Sequence, residues 1–201
     1  MSEIIRRVPL VNAANALTAI RLVLVPVFGA LLAWSALVEL NTRIAVCLVF
    51  LVARSTDFVD GWIARRYRLI TAFGKVADPI ADKALIGTAL VMLSGYGVLP
   101  WWVTALILVR EVGVTLLRFW VIRHGVMAAS RGGKVKTGLQ ILAIGWYLWP
   151  MPEALVPVGP WLMAAAVVVT VATGLDYTAR ALRLRRPTAG PARARSAWPT
   201  P

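Results

Sequence analysis

The chain has 201 residues, 59% of them apolar, with nine tryptophans and a formal net charge of +13. That composition, with its positive mean hydropathy, excludes an ordinary soluble domain and fits a membrane protein. The positive charge does not read as a nucleic-acid footprint: the basic residues fall between apolar runs, where inner-leaflet bias and anionic headgroups account for them.

In chain order, the first ten residues hold Arg6 and Arg7 but no apolar run ending in a small-residue cleavage site, so no cleavable signal is read there. The next piece, P-L-V-N-A-A-N-A-L-T-A-I-R, sets Asn15, Thr18 and Arg21 at the head of an apolar run. Asn15 or Thr18 could cap a helix start. Arg21 lies inside the run and must snorkel or pair. A bilayer span takes roughly 20 mostly apolar residues. Six runs qualify, at about 16–38, 43–66, 77–96, 100–123, 136–150 and 157–181. The expectation is an all-α polytopic membrane protein whose single domain covers residues 1–186. There is no internal repeat. The single cysteine, Cys47, lies in an apolar run and reads as a small hydrophobe. Residues 187–201, rich in Pro, Ala, Arg and Gly, read as a disordered basic tail.

Loop charges give an orientation. Arg65, Arg66, Arg68 and Lys75 lie between runs two and three. Arg123, Arg131, Lys134 and Lys136 lie between runs four and five, and six arginines follow from Arg180 to Arg195. The other connections hold one Arg and no Lys. Both termini and the two basic loops are therefore expected in the cytoplasm. Trp101, Trp102, Trp149 and Trp161 fall at the opposite ends, where aromatic belts form.

The most informative stretch is D-F-V-D-G-W-I-A-R-R-Y-R-L-I-T-A-F-G-K-V-A-D-P-I-A-D, residues 57–82. It holds four of the nine acidic residues in the chain: Asp57, Asp60, Asp78 and Asp82. A charge near hydrocarbon costs roughly 2.5–3.5 kcal/mol at a helix centre. Four carboxylates together also repel one another unless a positive group lies between them. Asp57 and Asp60 share one helix face at i, i+3, and Asp78 and Asp82 share another at i, i+4. Two such faces joined by a short loop can converge. Hard oxygen donors favour Mg²⁺, Mn²⁺ or Ca²⁺, and one His and one Cys leave no set of soft ligands for zinc. A hard cation at the membrane surface points to a phosphate-bearing substrate. Gly61 would allow close backbone approach, Arg65 a bidentate fork and Thr71 a hydroxyl. An acid-lined cation path, as in a divalent cation transporter, is the alternative. It fits less well, because the acids cluster at one end of two helices.

Further cations lie downstream. Arg110 and Arg118 fall in the fourth run and Lys134 and Lys136 at the start of the fifth. Each could serve a phosphorylated ligand. The alternatives are an ion pair around Glu111 for Arg110, headgroup snorkelling for Arg118 and ordinary loop charge for the lysines. Asp176 could pair with a basic neighbour or meet substrate.

The spacing Asp57-x2-Asp60-Gly61-x2-Ala64-Arg65-x8-Gly74-x3-Asp78-x3-Asp82 resembles in full the signature of the CDP-alcohol phosphatidyltransferases. The similarity extends over about residues 10–180, through N-A-L-T-A-I-R (15–21), S-T-D-F-V-D-G (55–61), A-D-P-I-A-D-K (77–83), R-E-V-G-V-T-L-L-R (110–118) and G-K-V-K-T-G-L-Q (133–140). The last two stretches are similar to the branch that uses sn-glycerol 3-phosphate as acceptor.

The resemblance implies six transmembrane helices around a polar cavity open to the cytoplasm, in a homodimer of the cell membrane. It implies transfer of a phosphatidyl group from CDP-diacylglycerol to glycerol 3-phosphate, giving phosphatidylglycerophosphate and CMP. An inositol phosphate, or phosphatidylglycerol as in cardiolipin synthesis, are the alternative acceptors. By motif position Asp57, Asp60, Asp78 and Asp82 would hold one or two Mg²⁺ or Mn²⁺ ions, with Asp82 also the general base. Asn15, Thr18, Asp57, Gly61, Ala64, Arg65, Thr71 and Gly74 would meet CDP-diacylglycerol. Arg110, Arg118, Lys134 and Lys136 would hold the acceptor phosphate.

Overall fold

The computed structural model describes residues 13–66, 72–121 and 131–185. Among them are six α-helices and no strand: α1 (Ala13–Ser35), α2 (Leu40–Arg66), α3 (Ala72–Gly95), α4 (Trp101–Val121), α5 (Arg131–Leu148) and α6 (Val158–Arg185). A single 3₁₀ turn, Glu153–Leu155, precedes α6. The helices fall on the six apolar runs. At 1.5 Å per residue the shortest, with 18 residues, is about 27 Å long, close to the thickness of a hydrocarbon core. The 187–201 tail lies outside the described residues.

The turns at one end are short and internally satisfied. After α1, Ala36 and Leu37 adopt positive φ of 41° and 61°. The Ser35 hydroxyl takes the Leu37 N–H at 3.2 Å, while the Ser35 carbonyl takes the Val38 N–H at 2.9 Å. After α3, Gly97 supplies the left-handed residue (φ 71°). There the N–H groups of Val98 and Leu99 both return to the Leu93 carbonyl. This is how a helix end satisfies its last carbonyls before reversing.

α1 packs on α2 and α3, α4 on α3 and α6, and α5 on α2 and α6. Much of the core between them is apolar: Phe28, Leu32, Phe50, Leu85, Leu90, Leu93, Ile107, Ile144 and Leu148 are buried. The Phe28 and Phe50 rings meet at 5.7 Å. The outer surface is apolar as well. Trp34, Val109, Leu116, Trp161, Val168 and Leu175 are all largely exposed. So much exposed apolar surface is unfavourable in water and suits lipid contact. Two segments, Ala16–Ser35 and Glu153–Leu182, are long and apolar enough by themselves to cross a membrane. Among the other four helices, α2 and α3 carry charges midway along that lower their apolar content: Arg54, Asp57 and Asp60 in α2, Asp78, Asp82 and Lys83 in α3.

Candidate active site

The register of α2 against α3 is fixed by an ion pair between Arg54 and Asp82. The two helices run in opposite directions, joined through 67–71. One turn from Arg54 toward that connection lies position 57, and one turn from Asp82 in the same direction lies position 78. The backbone therefore brings positions 57 and 78 to one level, with 60 slightly nearer the connection. The side chains of Asn15, Asp57, Asp60, Ala64, Arg65 and Arg118 lie outside the described residues, as do the surroundings of Gly61 and Gly74 and the whole of Thr71.

α1 closes over this pair. The Thr18 hydroxyl donates to Asp78 Oδ1 at 2.6 Å, and Thr18 is buried. With α1 beginning at Ala13, Thr18 lies more than a turn inside the helix. It serves the carboxylate and does not cap the helix. Arg21, one turn further along α1, is fully buried in the bundle, so it does not snorkel to the surface.

The carboxylate oxygens of Asp78 and Asp82 are hard donors, and Asp82 already faces a cationic group. The residues present thus fit a divalent cation. Among the described residues no three carboxylate, imidazole or thiol groups gather.

From Asp82 a cavity of about 220 Å³ runs between α3, α4 and α5, with polar groups of Lys83, Glu111, Lys136, Thr137 and Gln140 in its wall. Leu108, Val112 and Ile86 supply apolar lining. Asp82 and Lys136, distant in sequence, share this one space. Lys134 is exposed and does not line it.

Behind the cavity is a polar network in the middle of the bundle. Glu111 Oε1 accepts from Arg110 Nη1 at 3.1 Å and from the Lys136 ammonium. Arg110 Nε donates to the Thr170 carbonyl at 3.1 Å and Nη2 to Thr173 Oγ1 at 2.8 Å, tying α4 to α6. Gly174 makes room for this: a Cβ there would lie 3.2 Å from Arg110 Cγ. Gln140 Nε2 donates to Thr170 Oγ1 at 3.1 Å, which ties α5 to the same turn of α6. One turn along α4, Thr115 Oγ1 receives the Lys83 ammonium and donates to the Glu111 carbonyl at 2.7 Å. Asp176 pairs with Arg180 at 2.9 Å on an exposed face.

The structure therefore brings Thr18 to Asp78, and Asp82 and Lys136 to one cavity. It engages Arg110 with α6 and Glu111. Four residues that sequence reasoning did not single out meet Asp82 or line the cavity: Arg54, Lys83, Thr137 and Gln140. Arg54 had a signal, a charge in an apolar run one turn before Asp57. Lys83 directly follows the last motif aspartate. Thr137 and Gln140 lie in the G-K-V-K-T-G-L-Q stretch but had no charge to mark them.

Residues 11–172 match the CDP-alcohol phosphatidyltransferase family. A "probable phosphatidylglycerophosphate synthase" of Mycobacterium tuberculosis (strain CDC 1551 / Oshkosh) is 50% identical over 181 residues, 90% of this chain and 87% of that protein. The CDP-diacylglycerol–glycerol-3-phosphate 3-phosphatidyltransferases of Bacillus subtilis (strain 168) and Escherichia coli (strain K12) are each 36% identical. They match over 83% and 85% of this chain and over 93% and 94% of their own lengths. The chain belongs to the CDP-alcohol phosphatidyltransferase family and is a phosphatidyl-transferring enzyme.

Proposed function

We propose that the enzyme transfers the phosphatidyl group of CDP-diacylglycerol to sn-glycerol 3-phosphate, releasing CMP and forming phosphatidylglycerophosphate for phospholipid synthesis. The observation that carries the reading is the single cavity shared by Asp82, the last aspartate of the motif, and Lys136, a cation suited to a phosphate. The activities named for the relatives agree with it.

In this reading Asp57, Asp60, Asp78 and Asp82 hold one or two divalent ions, Mg²⁺ or Mn²⁺. Such ions, when bound, neutralise the diphosphate and make its phosphorus more electrophilic. The chain's own groups do the rest. Thr18 orients Asp78 from α1. Asn15, Gly61, Ala64, Arg65, Thr71 and Gly74, with Asp57, receive the CDP moiety. Lys136, with Arg118, draws the acceptor phosphate in, while Arg110 is held by α6 and Glu111 and Lys134 lies outside the cavity wall. Asp82 accepts the proton of the glycerol 1-hydroxyl as that oxygen attacks the β-phosphorus; the bond from that phosphorus to the CMP oxygen breaks, and CMP departs. Position and charge stabilisation carry most of such a transfer, so Asp82 acts through placement at the cavity edge.

The same reading has all six helices crossing the cell membrane, with both termini and the cavity on the cytoplasmic side and the enzyme a homodimer. The basic connections and tail support this orientation. The test is CMP release from CDP-diacylglycerol by the purified enzyme with added Mg²⁺ or Mn²⁺. Glycerol 3-phosphate, inositol phosphate, serine and phosphatidylglycerol are offered side by side. Release is expected with glycerol 3-phosphate. Release only with another acceptor would reassign the substrate. Metal flux in liposomes without CMP release would mark a transporter.

A further inference from the structure

α4 presents one carboxylate to the cavity, Glu111. Its Oε1 is shared by two cations arriving from different sides, Arg110 Nη1 at 3.1 Å and Lys136 Nζ from α5. All three groups are withdrawn from water: the side chains of Lys136, Arg110 and Glu111 are 8%, 12% and 16% exposed. A lysine carries a compact, strongly hydrated charge on a flexible stem. At an apolar wall such a stem extends toward water unless something holds its head. Here Glu111 holds it. Arg110 is itself anchored from behind by the Thr170 carbonyl and the Thr173 hydroxyl of α6. A continuous line thus runs from the α6 backbone through Arg110 and Glu111 to the ammonium in the cavity wall.

A carboxylate in a pocket for an anion would ordinarily repel the ligand. Here two cations flank the one carboxylate, so the cluster keeps one net positive charge and still attracts a phosphate. We infer that Glu111 is a positioning residue for the acceptor: without touching it, Glu111 sets the Lys136 ammonium where a phosphate monoester enters the cavity. This rests on the reading of Lys136 as an acceptor-phosphate contact.

The test is initial-rate kinetics of the full-length enzyme in mixed micelles, varying each substrate in turn. Glu111→Gln, which keeps the shape and removes the charge, is expected to raise KM for glycerol 3-phosphate about tenfold. KM for CDP-diacylglycerol and kcat should stay within about twofold. Lys136→Met should give a similar rise, and the double variant no more than Lys136→Met alone, because both act through one ammonium. Glu111→Asp, which keeps the charge but shortens its reach, should raise the acceptor KM about threefold and nothing else, and it stands in if the Gln variant does not fold. An unmoved acceptor KM, equal rises in both KM values, or additive effects of Glu111→Gln and Lys136→Met would overturn the role. Wild-type turnover with glycerol 3-phosphate is the separate check. Its absence sinks the acceptor reading, whereas normal wild-type turnover beside an unmoved acceptor KM in Glu111→Gln sinks only the role of Glu111.

Discussion

The two ends of the bundle treat polar groups in opposite ways. At the end where α1, α3 and α5 finish, side chains are spent mostly on backbone. Arg43 donates to the carbonyls of Tyr147, Leu148 and Trp149 at 3.2, 3.4 and 3.0 Å. The Tyr96 hydroxyl donates to the Leu32 carbonyl at 3.0 Å, and Trp146 Nε1 to the Leu155 carbonyl at 3.1 Å. Toward the other end, side chains meet side chains: Thr18 with Asp78, Arg54 with Asp82, Lys83 with Thr115, Lys136 with Glu111. A backbone carbonyl at a helix end is an acceptor without an intrahelical partner, and a side chain that satisfies it closes that end. A side-chain pair can exchange its partner for a substrate or an ion. The first end is therefore a fastening, and the second holds groups able to exchange partners, as the proposed function requires.

That contrast is sharpened by perturbing each end. Chelating divalent ions should abolish CMP release, with recovery on adding Mg²⁺ or Mn²⁺, while the fold by circular dichroism stays intact. Asp82→Asn should lower kcat on the order of 10³-fold in the same assay. It should elute as wild type on gel filtration; wild-type turnover would remove Asp82 as base. At the far end the effects should invert. Arg43→Ala strips three bonds and a favourable charge from the C-terminus of α5. It should cost about 2 kcal/mol of stability, read as a lowered Tm in detergent, with KM and kcat unchanged. Tyr96→Phe removes one neutral bond and should cost about 1 kcal/mol, again without kinetic effect. An Arg43 variant that lost activity at full stability would break the division.

Much of this was legible in the sequence. Apolar runs located all six helices to within several residues, because a run of that length has few other solutions near lipid. The i, i+3 and i, i+4 spacing of the aspartates put each pair on one helix face, because helical faces follow from count alone. What the sequence hid is everything that depends on register between helices. Arg54 meets Asp82, and Glu111 meets Lys136, only through the packing of α2 on α3 and of α4 beside α5. No local pattern encodes either pairing. Arg110 illustrates the limit: its charge in an apolar run pointed to function, and the structure shows three of its donors taken by Glu111, Thr170 and Thr173.

The bend after α1 has a practical consequence. Ala36 is exposed and carries a φ of 41°, in the region that L-residues enter only at a cost. Glycine at that position would remove the steric penalty of the methyl group, for a gain of about 1 kcal/mol. The change lies at the opposite end of the bundle from the proposed catalytic residues, so it offers a hardier protein for detergent extraction and crystallisation.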